Sequence, residues 1–398
     1  MAAGTLGLFG GHAGLNSVPV AAHAEGAAWD RFAAWPAWAA RLLLIALLAL
    51  LAAAAAVPLQ PPGGEAPLAA PPPAAAAGQG DDQDLALYEA AAAKVAAGQS
   101  YYRFIVAEQR ARDYPVRPAI TVRLPTLAYL MAGLDLVHMR AAAALALMLA
   151  TVAAWWRRLG EEPGGGGAGG GLRRVATALV FVGASLAINR HYLSLHELWA
   201  GLLLSLAMAL YRSGPQRRWL GAFACVALAL FIRELALPFA LVLAASAAWR
   251  RDWREVAAWA ALVAVFFAAL AAHVSIVSAQ ILPSDRPGFD WLAWRGLSGW
   301  LGNVVQSGNL RFLPHGLAGP LVVAMTLGWA GWRTQVGALT FLVTAGYAVA
   351  FMIAGRWDNF YWGALIVPLL TPGLAFAPRA LASLVASAQL NRLRLDHG

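Results

Sequence analysis

The feature that most constrains this chain is a succession of long apolar runs separated by short groups of arginines. The runs lie at about Trp38–Leu59, Ala141–Trp156, Val175–Asn189, Leu195–Tyr211 and Trp219–Ile232. They continue at Leu235–Trp249, Val256–Val277, Leu317–Trp332, Val336–Gly355 and Ala364–Leu384. A helix needs about 20 apolar residues to cross about 30 Å of hydrocarbon, so the pattern predicts about ten transmembrane helices. Several runs are short and call for tilt, local thinning or burial against neighbours. Composition excludes a water-soluble enzyme. Of 398 residues, 60% are hydrophobic and 12% charged, half the roughly 25% charged fraction of a soluble domain. The expected fold is all-α and polytopic.

The arginines set the topology. Arg157, Arg158, Arg173 and Arg174 fall in one connection, Arg212, Arg217 and Arg218 in another, and Arg250, Arg251 and Arg254 in a third. Arg333, and then Arg392 and Arg394, continue the series, so every second connection is arginine-rich. The positive-inside bias places that side, with both termini, in the cytoplasm. The formal charge of +9 is therefore a topology signal, and no nucleic-acid partner is expected. Trp219–Trp249 reads either as one long helix with Arg233 and Glu234 at mid-membrane or as a hairpin turning there. Only the hairpin keeps the alternation. The organisation expected is a disordered cytoplasmic tail over 1–36, a membrane domain over 37–384 with a large first outer loop at 60–123, and a second cytoplasmic tail over 385–398. Cys225 is the only cysteine, so no disulfide or thiol-based metal site forms within one chain. The Gly164–Gly171 stretch lacks the Lys-Ser/Thr ending of a phosphate-binding loop.

The opposite face concentrates polar chemistry. Its first loop carries Asp81, Asp82, Asp84, Tyr88, Glu89, Tyr101, Tyr102 and Arg103, and its second turn Arg190, His191, His196 and Glu197. The third turn is Arg233-Glu234, and the fourth loop holds Asp285, Arg286, Asp290, Trp291, Trp294, Arg295, Arg311 and His315. The fifth holds Arg356, Trp357, Asp358, Asn359, Tyr361 and Trp362. Arginine forks bind phosphate bidentately, and a nearby carboxylate serves as a general base. The set fits a phosphate-bearing lipid and a hydroxyl acceptor at the membrane surface. Plainer readings stand beside this one. Arg233-Glu234 also reads as a neutralising pair at a turn, and Trp357, Tyr361 and Trp362 as interfacial belt aromatics. His273 reads as a satisfied core histidine and His315 as flanking a helix start.

The segment Asp84-Leu-Ala-Leu-Tyr88, with the Ala-rich helix to Gly98, Tyr101-Tyr102, Tyr114-Pro115, Pro118 and Arg123-Leu-Pro125, resembles a known loop. It is similar to the one that follows the first span in the GT-C superfamily of polytopic glycosyltransferases. The resemblance implies a GT-C-like fold and inverting transfer of a sugar from a polyprenyl-phosphate donor to a glycan or lipid acceptor hydroxyl. It implies Asp84 as the base, with Asp82 and Asp81 as alternates because Asp-Asp-Gln-Asp leaves the register open. Arg190, His191, Arg233 and Arg356 become phosphate contacts by position, and Tyr88, His196, Glu197, Glu234 and Asp358 complete the expected binding set. No cofactor is expected, and the acidic cluster leaves a divalent cation open. Competing readings are a secondary transporter, a flippase for lipid-linked sugars, or a non-catalytic scaffold. Abundant Ala, Gly and Arg with a single lysine, Lys94, point to a GC-rich bacterial genome. The expected location is the inner membrane, in contact with its lipids, with the active site on the periplasmic side.

Overall fold

Each of the apolar runs is helical in the computed structural model, which describes residues 30–60, 81–134, 136–162, 170–213, 218–288 and 291–389. In chain order the first helices are α1 (Ala37–Ala56), α2 (Asp81–Ala96), α3 (Tyr101–Ala111), α4 (Thr126–Gly133) and α5 (Val137–Glu161). There follow α6 (Gly170–Ala184), α7 (His196–Leu210), α8 (Leu220–Ile232), α9 (Leu237–Trp249) and α10 (Trp253–Ser278). The last are α11 (Gly296–Gln306), α12 (His315–Gly331), α13 (Gln335–Ile353), α14 (Val367–Leu370) and α15 (Gly373–Gln389). The described residues contain isolated β-bridges but no strand. Local chemistry sets several boundaries. Pro36 precedes α1, Pro238 occupies the first turn of α9, and the side chains of Asp252 and Thr334 cap α10 and α13. A proline in a first turn removes an N–H that would have no helical partner, and a cap oxygen satisfies one that otherwise has none.

Five segments, Ala37–Ala56, Val137–Glu161, Gly170–Ile188, Trp253–Ser278 and Gln335–Ile353, are long and apolar enough to cross a membrane. Length and composition thus make this a helical membrane protein. Helices α7, α8 and α9 have 15, 13 and 13 residues. At 1.5 Å per residue they are about 20–23 Å long, short of a full hydrocarbon thickness.

The chain runs back and forth between two ends. At one end Arg158 Nη1 donates to the Tyr211 carbonyl (2.8 Å), Arg250 Nη2 to the Tyr211 hydroxyl (2.9 Å), and that hydroxyl to Glu255 (2.7 Å). Trp332 packs there beside Arg31, and Ser213 donates to Gln335. This end carries Arg158, Arg212 and Arg250 of the arginine clusters; Arg217, Arg392 and Arg394 lie outside the described residues. The opposite end gathers the polar turns. The α8–α9 junction follows the hairpin expectation: Arg233, at the end of α8, meets Glu197 at the start of α7, whereas Arg250, at the end of α9, meets Tyr211 beyond the end of α7.

Two helices, α4 and α11, lie outside the apolar runs and the first loop read from the sequence. Short α4 lies between the first outer loop and α5. Helix α11 lies within the expected fourth loop, with Ser298 through Gln306 buried. Gly299 makes α11 possible, because a Cβ there would collide with the Phe351 carbonyl. The packed part also exceeds 37–384. Phe32 is buried and accepts through its carbonyl from Ser387, and Arg41 donates to the Ala388 carbonyl (3.0 Å). Small residues bring the helices together elsewhere. Gly201 in α7 lies under the Ala364 carbonyl, and Gly328 in α12 under that of Gly373. Between helices in lipid, close backbone approach replaces the hydrophobic drive available in water.

Candidate functional site

The described segment 81–122 packs onto the bundle through a second, smaller core. Leu87, Ala91, Tyr101, Phe104, Ile105 and Val106 from α2 and α3 pack with Val116, Ala119 and Val122 and against Val277 of α10. His273 of α10 fixes the segment around Val122: its Nε2 lies 2.9 Å from the Val122 carbonyl and its Nδ1 3.1 Å from the Tyr102 hydroxyl. It is the satisfied histidine that the sequence suggested. Tyr101 donates to the Arg123 carbonyl (2.8 Å). The backbone on either side of Arg123 is thus held by two anchors. Arg110 pairs with Asp285, and Arg286 with Asp113 (2.7 Å), tying the fourth loop to the end of α3.

Beneath this cover lies a cavity of about 270 Å³, near the lower bound of ~300 Å³ for ligand pockets. Its size suits a compact polar group rather than a whole lipid. Asp84 faces it half-buried, and the Tyr361 hydroxyl donates to its Oδ2 at 3.3 Å. Burial pushes the Asp84 carboxyl above its usual range, against opposing pulls from the Tyr114 hydroxyl, Arg123 and Tyr361. Burial also pushes the Tyr88 hydroxyl up to about 12, so it remains a neutral donor. The Tyr88 ring meets that of His196 edge to face at 4.5 Å. Arg112, Arg123, Arg140, Arg286 and Arg356 also line the space, facing the carboxylates of Asp84, Glu89, Asp113 and Asp358.

A ladder of buried charge lies below. Arg123 Nη1 donates to Glu234 (3.0 Å), Glu234 pairs with Arg233, and Arg233 Nε donates to Glu197 (2.6 Å). Arg233 Nη2 and His196 Nδ1 are buried without a protein partner. Arg233 Nη2 can donate to water or a ligand, and His196 Nδ1 can donate or accept according to its tautomer, since buried polar groups are rarely left unmet.

The expected site residues separate into groups. Asp84, Tyr88, His196, Arg356 and Asp358 meet at the cavity, the last two as an ion pair. Glu197, Arg233 and Glu234 do not line it but form the ladder. Arg190 and His191 sit exposed in the 3-10 turn Arg190–Tyr192, away from the cavity lining. Asp81 and Asp82 begin α2, and their side chains lie outside the described residues. The three aromatics with a belt reading each meet a polar partner. Trp362 is buried beside the Arg233 guanidinium, Trp357 lies against that of Arg295, and Tyr361 holds Asp84.

Sequence reasoning gave no site role to Arg123, Arg140 or Tyr114, although Tyr114 and Arg123 stand in the motif that carries the resemblance. A signal existed for Arg140. It is an arginine at the outer end of an apolar run, on the side where the inside bias disfavours one. Its Nε donates to the Met131 and Leu134 carbonyls, joining α5 to the end of α4. Among the described residues no group of three or more His, Cys, Asp or Glu side chains could hold a metal ion.

Comparison of the chain with protein-family models, curated proteins and solved structures returned no match.

Proposed function

We propose that this protein is a membrane glycosyltransferase of the GT-C kind, moving a sugar from a polyprenyl-phosphate lipid to a glycan or lipid hydroxyl. In this reading ten helices cross a bacterial inner membrane, both termini are cytoplasmic, and the cavity opens to the periplasm. The observation that carries the reading is Asp84: a half-buried carboxylate, held by tyrosine hydroxyls, in a cavity walled by arginines at the bundle end opposite the arginine clusters.

The chemistry is a single displacement. The acceptor O–H gives its proton to Asp84 as its oxygen bonds to the anomeric carbon. The bond from that carbon to the phosphate oxygen breaks, and its electron pair leaves with the phosphate. Arg123 and Arg356 stabilise the charge that develops there, as preorganised donors do for a leaving anion. A carboxylate whose proton affinity is raised by burial is suited to the proton transfer, because general-base catalysis improves as the base's pKa approaches the working pH.

The test supplies radiolabelled polyprenyl-phosphate sugars and an envelope acceptor fraction to purified wild type and Asp84→Asn. Loss of a positioned general base lowers turnover by about 10²-fold or more, while donor binding persists. Full turnover by Asp84→Asn removes Asp84 as the base. Failure of wild type to bind or consume any such donor removes the transferase reading.

A further inference from the structure

A second cavity, of about 320 Å³, shares no lining residue with the first. It lies at the same end of the bundle, between the end of α6 with its 3-10 extension Ser185–Ile188 and the segment 307–311 that joins α11 to α12. Val182, Leu186 and Ile188 give it an apolar wall, and Ser185, Asn189, Ser307 and Asn309 a polar one. Asn309 Nδ2 donates to the Val182 carbonyl (3.0 Å) and to Ser185 Oγ (2.8 Å), so the two sides are joined and the space is part of the fold.

Its only charged lining residue is Arg311. The guanidinium lies over the Phe312 ring at 4.8 Å, and its Nε is buried without a hydrogen-bond partner. The arginines of the first cavity differ: Arg123, Arg286 and Arg356 each have a carboxylate partner. A guanidinium with no carboxylate partner among the described residues, beside serine and asparagine side chains, is suited to an anionic oxygen group, since arginine recognises phosphate through its planar fork. Exposed apolar side chains occur in this part of the chain: Ile188 of the lining is 57% exposed, Phe312, next to Arg311, is 62% exposed, and Leu317, in the first turn of α12, is 57% exposed. An anion site near exposed apolar side chains and at helix ends has the chemistry of a headgroup site for a lipid with two acyl chains.

We propose that this second cavity binds the phosphate-bearing headgroup of a bilayer glycerophospholipid, with Arg311 as its anion anchor. The lipid's glycerol and phosphate oxygens meet Arg311 and the serine and asparagine side chains, and its two chains lie along Ile188 and along Phe312 and Leu317. This site is independent of the transferase reading.

The experiment is native mass spectrometry of the full-length protein in detergent, with dioleoyl phosphatidylglycerol added stepwise. Wild type holds one tightly retained lipid. Arg311→Gln and, separately, Ile188→Asp each lower its occupancy about tenfold, the loss expected for one charge-assisted hydrogen bond or one opposing charge. Both substitutions are at partly or largely exposed side chains, and an unchanged thermal midpoint confirms that each variant folds. A retained adduct in both variants overturns the proposal, as does the absence of any adduct in wild type. Displacement by equimolar inorganic phosphate would make this a free-anion site, and displacement by equimolar polyprenyl phosphate a single-chain lipid site. Either result overturns the assignment.

Discussion

Removing one carboxylate from the buried ladder should cost more stability than removing an ion pair from it. Glu197 and Arg233 have side chains only 2% and 1% exposed and meet at 2.6 Å. Arg233 also pairs with Glu234, and Glu234 with Arg123, so four groups of alternating sign sum to zero. Glu197→Gln leaves two guanidinium groups sharing one carboxylate, with almost no water to solvate the excess. Breaking a buried pair in this way costs about 3–5 kcal/mol. Arg233 keeps Glu234, and the glutamine oxygen still accepts a hydrogen bond, which places the expected loss near the lower end, about 3 kcal/mol. Arg233→Gln should cost a similar amount by leaving two carboxylates to one arginine. The double variant Glu197→Gln, Arg233→Gln restores neutrality and retains the Arg123–Glu234 pair. Its loss should therefore be smaller than that of either single variant. Reversible unfolding in mixed micelles, driven by increasing the dodecyl sulfate fraction, reads all three. A double variant as unstable as the sum of the two singles would refute the ladder as a coupled unit.

Other consequences are accessible to similar measurements. The folded-state pKa of Asp84 lies above its ordinary value, so folding disfavours the ionised form, and this carboxyl costs stability as pH rises through the folded value. Asp84→Asn should therefore raise the thermal midpoint at neutral pH and leave it unchanged near pH 3, below the unfolded pKa of about 3.9. The same raised value should place the acid limb of turnover above the ordinary carboxylate range, which a pH–rate profile checks. Arg123→Gln should weaken donor binding by about tenfold or more, one charge-assisted contact, and a binding isotherm with the intact donor reads this directly. Gly201→Val should destabilise by about 1–3 kcal/mol through overpacking, because even a Cβ there meets the Ala364 carbonyl. Arg286→Ala, at the exposed pair with Asp113, should change stability by less than about 1 kcal/mol.

The helices were legible in the sequence because each apolar run has only one inexpensive solution away from water: a helix that satisfies its own backbone. The arginine alternation resolved the hairpin at Arg233-Glu234 without any tertiary information. Helix α11 was hidden for the opposite reason. Gly299, Gly302 and Asn303 are poor helix formers, and the segment is helical because burial against α13 and the turn Trp357–Leu365 outweighs intrinsic propensity. Asp84 and Tyr88 were singled out by the resemblance of the first loop, and both line the first cavity. Arg190 and His191 were misplaced because sequence position assigns a residue to one end of the bundle but does not fix its lateral place. The turn they occupy continues from Asn189, which lines the second cavity rather than the first.

The two readings of Arg233-Glu234, a neutralising pair or part of a binding site, meet in the ladder. The dipeptide does neutralise itself, yet Glu234 also reaches Arg123, whose backbone is flanked by the anchors from His273 and Tyr101. Arg233 meanwhile reaches Glu197, next in the chain to His196, whose ring supports Tyr88. The third outer turn therefore links the two walls of the first cavity without lining it. This division of labour follows from the cost of buried charge. Arg123, balanced by Glu234 from below, can face the cavity without leaving an isolated cation in a poorly solvated space. In the proposed reading an incoming phosphate then adds a second anion to an arginine that is already placed. The ladder lowers the cost of holding that site ready at the expense of some affinity, so Glu234→Gln should tighten anion binding while destabilising the fold. Paired measurements of inorganic phosphate affinity and the thermal midpoint test this, and weaker phosphate binding in Glu234→Gln would show that Arg123 needs its counter-ion to hold its place.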